Sequence, residues 1–168
     1  CMAAGVARAF ADASGVFYRA AAYTEITMSY QFPSEAWATA YQKAVNDNPQ
    51  YRTAGKDWTH GKVAFIVKAD PTIDLPGDMA ILLDVNAGAC HGAAYMTGDE
   101  ARTGAAFAVE GPYDNWKQLI VDGLDPIKAL MQGRLRLTKG HLPTMIRYVE
   151  SSKQLLASAQ NVPTSFRR

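Results

Sequence analysis

Between Lys62 and Glu110 four short runs follow one another with little chain between them, and the first is short and dense in β-branched and aromatic residues, as a strand is. They are Lys62–Ala69 (KVAFIVKA), Met79–Asn86 (MAILLDVN), Ala89–Met96 and Ala105–Glu110. Strands joined by short links pair with their neighbours, so this stretch predicts a largely antiparallel sheet. Pro71–Gly77 reads as a loop, Ala87-Gly88 as a turn, and Gly98–Thr103 as a polar loop. Within the second run Met79, Ile81, Leu83 and Val85 share one face, while Ala80, Leu82, Asp84 and Asn86 share the other. The sheet is therefore expected to carry helices on one face and to be partly wet on the other.

Helical signals flank these runs. Ser34 is an N-cap for a helix with Trp37, Tyr41, Ala44 and Val45 on one face, ending at Asn48-Pro49. A short helical piece is expected over 51–56. Gly111-Pro112 opens a helix holding Trp116, Leu119 and Ile120, with Gly123 at its C′ position. Asp125-Pro126 opens another with Ile127, Leu130 and Met131, closed by Gly133. Arg134–Thr138 alternates like an exposed edge strand, and Leu142, Met145, Ile146, Val149, Leu156 and Ala159 stripe one long final helix up to Pro163.

The Ala-rich residues 1–27 carry only a weak helical pattern (Val6, Phe10, Ala13, Phe17), and stronger signals begin at Met28. The expected organisation is an N-terminal extension over 1–27 and a single domain over 28–168.

Chemistry-bearing motifs are scarce. His60, His91 and His141 lack metal-ligand spacing, and Cys90 and His91 alternate on a strand, pointing to opposite faces. There is no G-x-S-x-G elbow and no phosphate loop. No catalytic residue, metal or cofactor is assigned, and a non-enzymatic role is expected. A net charge of +1 supplies no general pull toward nucleic acid or an anionic membrane. Cys1 and Cys90 cannot form a disulfide framework, and Cys90 is expected to be a buried thiol. Few cysteines fit a reducing cytoplasm, no run is apolar for long enough to span a bilayer, and Arg8, Asp12 and Arg19 interrupt any signal-peptide core.

The stretch FAVEGPYDNWKQLIVDGLDPIKALMQGRLRL (107–137) resembles the signature region of sterol carrier protein type 2 domains. The likeness rests on Gly123, Leu124, Asp125, Pro126, Ala129, Leu130, Gly133, Arg134, Leu135 and Arg136. FPSEAWATAYQKAVNDNPQYRTAGKDW (32–58) resembles the opening of stand-alone prokaryotic members, and the likeness runs from about Ser29 to Phe166. One departure is RLRLTKGH (134–141), one residue longer than the usual passage, where a bulge or shifted loop is expected.

The resemblance implies an α/β (α+β) fold, a five-stranded, mostly antiparallel sheet covered on one face by helices around an apolar tunnel. It also implies binding or transfer of a fatty acid, fatty acyl-CoA, sterol-like or other apolar ligand, without cofactor, and at most transient membrane contact. The alternative is a small enzyme or accessory subunit that holds or presents a quinone or polyketide-like intermediate in the same cavity. Carried over by position, the wall is expected to comprise Trp116, Leu119, Ile120, Leu124, Ile127, Leu130 and Met131. Leu135, Leu137, Met145, Ile146 and Val149 are expected to face them.

Overall fold

The computed structural model describes residues 29–167, so the expected N-terminal extension over 1–27, with its weak helical pattern, lies outside the described residues. Five strands form the main sheet: β2 Val63–Val67, β3 Met79–Asn86, β4 Ala89–Thr97, β5 Phe107–Gly111 and β6 Arg136–Lys139, in the order β4-β3-β2-β5-β6. Two further strands, β1 Tyr30–Phe32 and β7 Thr164–Phe166, pair in parallel outside it and join the two ends of the described chain. The sequence does not predict that pairing, because strands this short carry no periodicity.

The sheet is antiparallel except at its centre, where β2 pairs in parallel with β5 (Phe65 opposite Val109). β4 and β5 therefore run the same way on opposite sides of β3 and β2, and parallel strands need a crossover. The segment read as a polar loop supplies it as a helix, α3 Gly98–Gly104. Thr97 and Glu100 form a reciprocal capping box, with Thr97 Oγ1 accepting from the Glu100 amide and Glu100 Oε1 accepting from the Thr97 amide. The T-x-x-E signal is present in the sequence, but the helix packs through alanine rather than a large apolar stripe. Ala101 and Ala105 meet Ala64, Ala80 and Ala108, whose lack of bulk lets the helix lie close to the sheet.

The other sheet face carries Val63, Phe65, Ile81, Leu83, Val85 and Val109 into the main core. Over it lie α1 Glu35–Asn46, α2 Pro49–Ala54, α4 Tyr113–Asp122, α5 Pro126–Met131, α6 Leu142–Arg147 and α7 Val149–Gln160. The caps fall where the sequence places them. Ser34 Oγ accepts from the Trp37 amide at 3.1 Å, and Asp125 Oδ1 accepts from the Ile127 amide at 2.9 Å. Gly123 ends α4 at φ 69°, a conformation an L side chain resists. On the outer edge of the sheet the Asn46 side chain both donates to the Cys90 carbonyl (2.9 Å) and accepts from its amide (2.8 Å), blunting the exposed strand.

Two further expectations meet the structure differently. The single C-terminal helix is broken at Tyr148, whose hydroxyl donates to the Asp57 carbonyl at 3.1 Å and whose ring packs on Trp58. In RLRLTKGH the β5–β6 register shifts between Ala108 and Val109, leaving Thr138 as the extra residue. Its hydroxyl donates to Glu110 at 2.6 Å.

Candidate functional site

Between the sheet and the helices lies a cavity with about 80 Å³ of free space. Its floor is Val63, Phe65, Val85 and Val109 from three strands. Trp37 and Tyr41 from α1 and Tyr51 from α2 close one side, while Trp116, Leu119 and Ile120 from α4 close another. Leu155, Leu156 and Ala159 of α7 form the roof; Phe32, Trp58, Pro126, Leu130, Leu135, Met145 and Tyr148 add to the wall, and Ser151 and Ser152 bring two hydroxyls to it.

Rings are prominent in this wall, and the tryptophans and Tyr41 are anchored by their polar tips. Trp116 Nε1 donates to the Ile66 carbonyl at 2.9 Å, and its ring packs tilted on Phe65 with centroids 5.4 Å apart. The Tyr41 hydroxyl donates to the Leu155 carbonyl at 2.8 Å. Trp37 Nε1 donates to Thr164 Oγ1 at 2.9 Å and Trp58 Nε1 to the Gly61 carbonyl at 3.0 Å. A buried N–H or O–H must find a partner. Here the partners lie in the surrounding protein, so the bonds hold the rings and leave the wall predominantly apolar, with Ser151 and Ser152 as its aliphatic hydroxyls.

The titratable groups along the wall are Tyr41, Tyr51 and Tyr148. Burial pushes the Tyr41 phenol well above its ordinary value. Burial, aided by Cys90, pushes Tyr51 up to about 12 against a hydrogen bond with Ser151. Phenols so shifted stay neutral. Cys90 is buried as expected, and burial raises its thiol to about 11, far from a reactive thiolate.

The strongly perturbed carboxylates sit on the opposite face of the sheet. The two Glu110 oxygens accept from Arg102 Nε and Nη2 at 2.8 and 2.9 Å, and Arg102 also reaches Asp78 and Asp99 at 2.7 and 2.8 Å. The Arg102 hydrogen bonds overcome burial and bring the Glu110 carboxyl down to about 2. Burial pulls Asp78 upward, but hydrogen bonds from Arg102, Lys68 and the Ala69 amide bring it to about 2 as well. Each is already paired, which is the arrangement of a structural staple.

Of the residues expected in the wall, Trp116, Leu119, Ile120, Leu130, Leu135 and Met145 line the cavity. Leu124, Ile127, Leu137 and Val149 pack in the surrounding core without lining it. Met131 and Ile146 do not belong to the wall: they are 68% and 41% exposed. Each follows a wall residue directly, and one helical step turns a side chain by about 100°. The wall expected from sequence lacks the floor and the aromatic side formed by α1 and α2. Trp37 and Tyr41 read in sequence as a helix face packed in the core, and an apolar helix face looks the same whether it meets a filled core or a hollow one.

A crystal structure of sterol carrier protein 2 matches this fold with a TM-score of 0.73 at 33% identity, covering 79% of this chain and 99% of that one. This chain belongs to the sterol carrier protein 2 family. The solution structure of a conserved hypothetical protein from Thermus thermophilus, described as a candidate sterol carrier protein, matches at 32% identity with a TM-score of 0.74. That match covers 82% of this chain and 94% of the Thermus chain. No family model and no curated protein sequence matches. The five-stranded sheet with helices over the cavity face is the sterol carrier protein 2 fold, as the sequence resemblance implied.

Proposed function

We propose that this chain is a non-catalytic carrier that binds a lipid, by its acyl chain or an equally apolar body, in the cavity between sheet and helices. One observation carries this reading: a wall that is apolar apart from Ser151 and Ser152 and whose tryptophan and Tyr41 polar tips are bonded into the surrounding protein. An enzyme acting on a substrate held there would need a group poised to exchange protons near neutrality. Tyr41 and Tyr51, shifted upward, do not offer one.

The energetics suit a carrier. Burying about a dozen methylenes yields roughly 10 kcal/mol gross at ~0.8 kcal/mol each. Association and ordering costs of several kcal/mol leave an affinity near micromolar, which permits release. Free space of about 80 Å³ is smaller than the ~150 Å³ apolar cavity that accepts benzene, so a long chain enters only by displacing wall side chains. Leu130 and Met145, each on a helix of 6 residues, are the adaptable members. An unpaired, buried Cys90 agrees with work in a reducing cytoplasm.

Native mass spectrometry of freshly purified protein, followed by lipid extraction, tests the reading. The expected result is an apolar small molecule bound at up to one per chain, displaced by a fluorescent fatty acid. Protein that carries nothing and takes up no fatty acid, acyl-CoA or sterol probe would overturn it.

A further inference from the structure

The segment Pro126–Arg147, which contains α5, β6 and α6, holds Lys128, Arg134, Arg136, Lys139 and Arg147 and no Asp or Glu. The whole chain has a net charge of +1, so these five charges leave the remainder at −4. All five side chains are exposed, and none joins an ion pair among the described residues. Arg134 donates to Gln118 Oε1 and Lys139 to the Arg102 carbonyl, both at 2.7 Å and both neutral acceptors. No carboxylate among the described residues pairs with their charge.

The same segment exposes large apolar side chains. Of the four that the described residues expose, three lie here: Met131 at 68%, Ile146 at 41% and Leu142 at 37%. Lys128 and Met131 stand three apart on α5, and Leu142 and Ile146 four apart on α6, spacings that place each pair on one helical face. Leu130 and Met145 line the cavity while the next residue on each helix is exposed. At these points the wall between cavity and solvent is one helix thick.

We propose that the outer surface of Pro126–Arg147 docks on an anionic lipid bilayer. Basic side chains are drawn to the negative surface potential, and exposed apolar side chains among them enter the headgroup boundary. A nucleic acid would engage the same cations but leave Met131, Leu142 and Ile146 in water, so a bilayer fits the whole set of residues. The reason to dock there rests on the carrier reading: the bilayer is both source and destination of the ligand, and this surface is the outside of the cavity wall.

The test is sedimentation of the full chain with phosphatidylcholine vesicles, with and without phosphatidylglycerol. The chain should sediment with the anionic vesicles and stay in solution with the neutral ones. Lys128→Gln with Arg147→Gln should lower the partition coefficient about 30-fold, since each basic residue near such a surface contributes roughly fivefold. Lys56→Gln with Lys153→Gln removes the same charge from exposed positions elsewhere and should leave partitioning nearly unchanged. Absence of sedimentation with anionic vesicles, an equal loss in both double variants, or binding of a fluorescent oligonucleotide without vesicle binding would overturn the proposal. Uptake of a fluorescent fatty acid from solution, measured alongside, should be the same in all three proteins. Its loss from the parent chain would remove the carrier reading and leave the vesicle result standing.

Discussion

The two faces of the sheet solve opposite packing problems. On one, Ala64, Ala80 and Ala108 are fully buried under α3, and Arg102 binds Glu110, Asp78 and Asp99 together. Side chains of one carbon leave no room to misfit, and the ion cluster spans helix, sheet and edge strand through Thr138. On the other, Phe65, Trp37, Tyr41 and Trp116 are large and flat, and hydrogen bonds to the surrounding protein fix three of them in place. Rings held at their tips cannot slide together to fill the last gap, and a cavity remains. The alanine face therefore holds the architecture so that the aromatic face can stay incompletely packed.

The largest expected effect comes from breaking the staple. Arg102→Ala leaves Glu110, whose side chain is 9% exposed, with only the longer Lys68 contact at 3.6 Å as its charge partner. It should cost about 3–4 kcal/mol in urea unfolding. Fatty-acid uptake in the folded fraction should persist, because Arg102 does not touch the cavity. Loss of uptake at unchanged stability would reverse the division between the two faces.

Acid should act on the same face. Glu110 titrates near 2 in the folded chain against 4.5 ordinarily, and Asp78 near 2 against 3.8. A carboxyl lowered by folding stabilises fully above its unfolded pKa, and that stabilisation is lost as the pH falls through the folded one. Stability should thus hold down to about pH 4.5 and then fall toward pH 2, with Glu110 contributing about 2–3 kcal/mol. Glu110→Gln should flatten the decline in unfolding measured across this range, at a lower starting stability.

A matched pair of enlargements sharpens the contrast. Ala80→Leu should overpack the alanine face and cost about 1–3 kcal/mol. Leu130→Trp, aimed into the cavity, should leave the melt nearly unchanged and abolish fatty-acid uptake. If Leu130→Trp lowers the melt and uptake survives, the cavity is ordinary core. The smallest effect should follow removal of residues 1–27. A chain beginning at Met28 should keep its stability within about 0.5 kcal/mol and take up the same ligand. A larger loss on thermal unfolding would make the extension part of the domain.

By itself the sequence determined the elements whose signals are local. The caps at Ser34 and Asp125, the Gly123 stop, the β3–β4 hairpin and the sidedness of β3 all follow from neighbours along the chain. The extra residue in RLRLTKGH likewise foretold the register shift at Thr138. Tertiary structure decided whatever depends on partners distant in sequence. It placed β5 parallel beside β2, paired β1 with β7, turned the polar segment after β4 into the crossover helix, and broke the last helix where Tyr148 meets Trp58. It also decided the cavity. Leu130 and Met131 look alike as apolar residues in sequence, yet one lines the hollow and the other meets solvent. Apolar character drives a residue away from water, but only the packing of the elements around it settles whether its neighbours fill the space beside it.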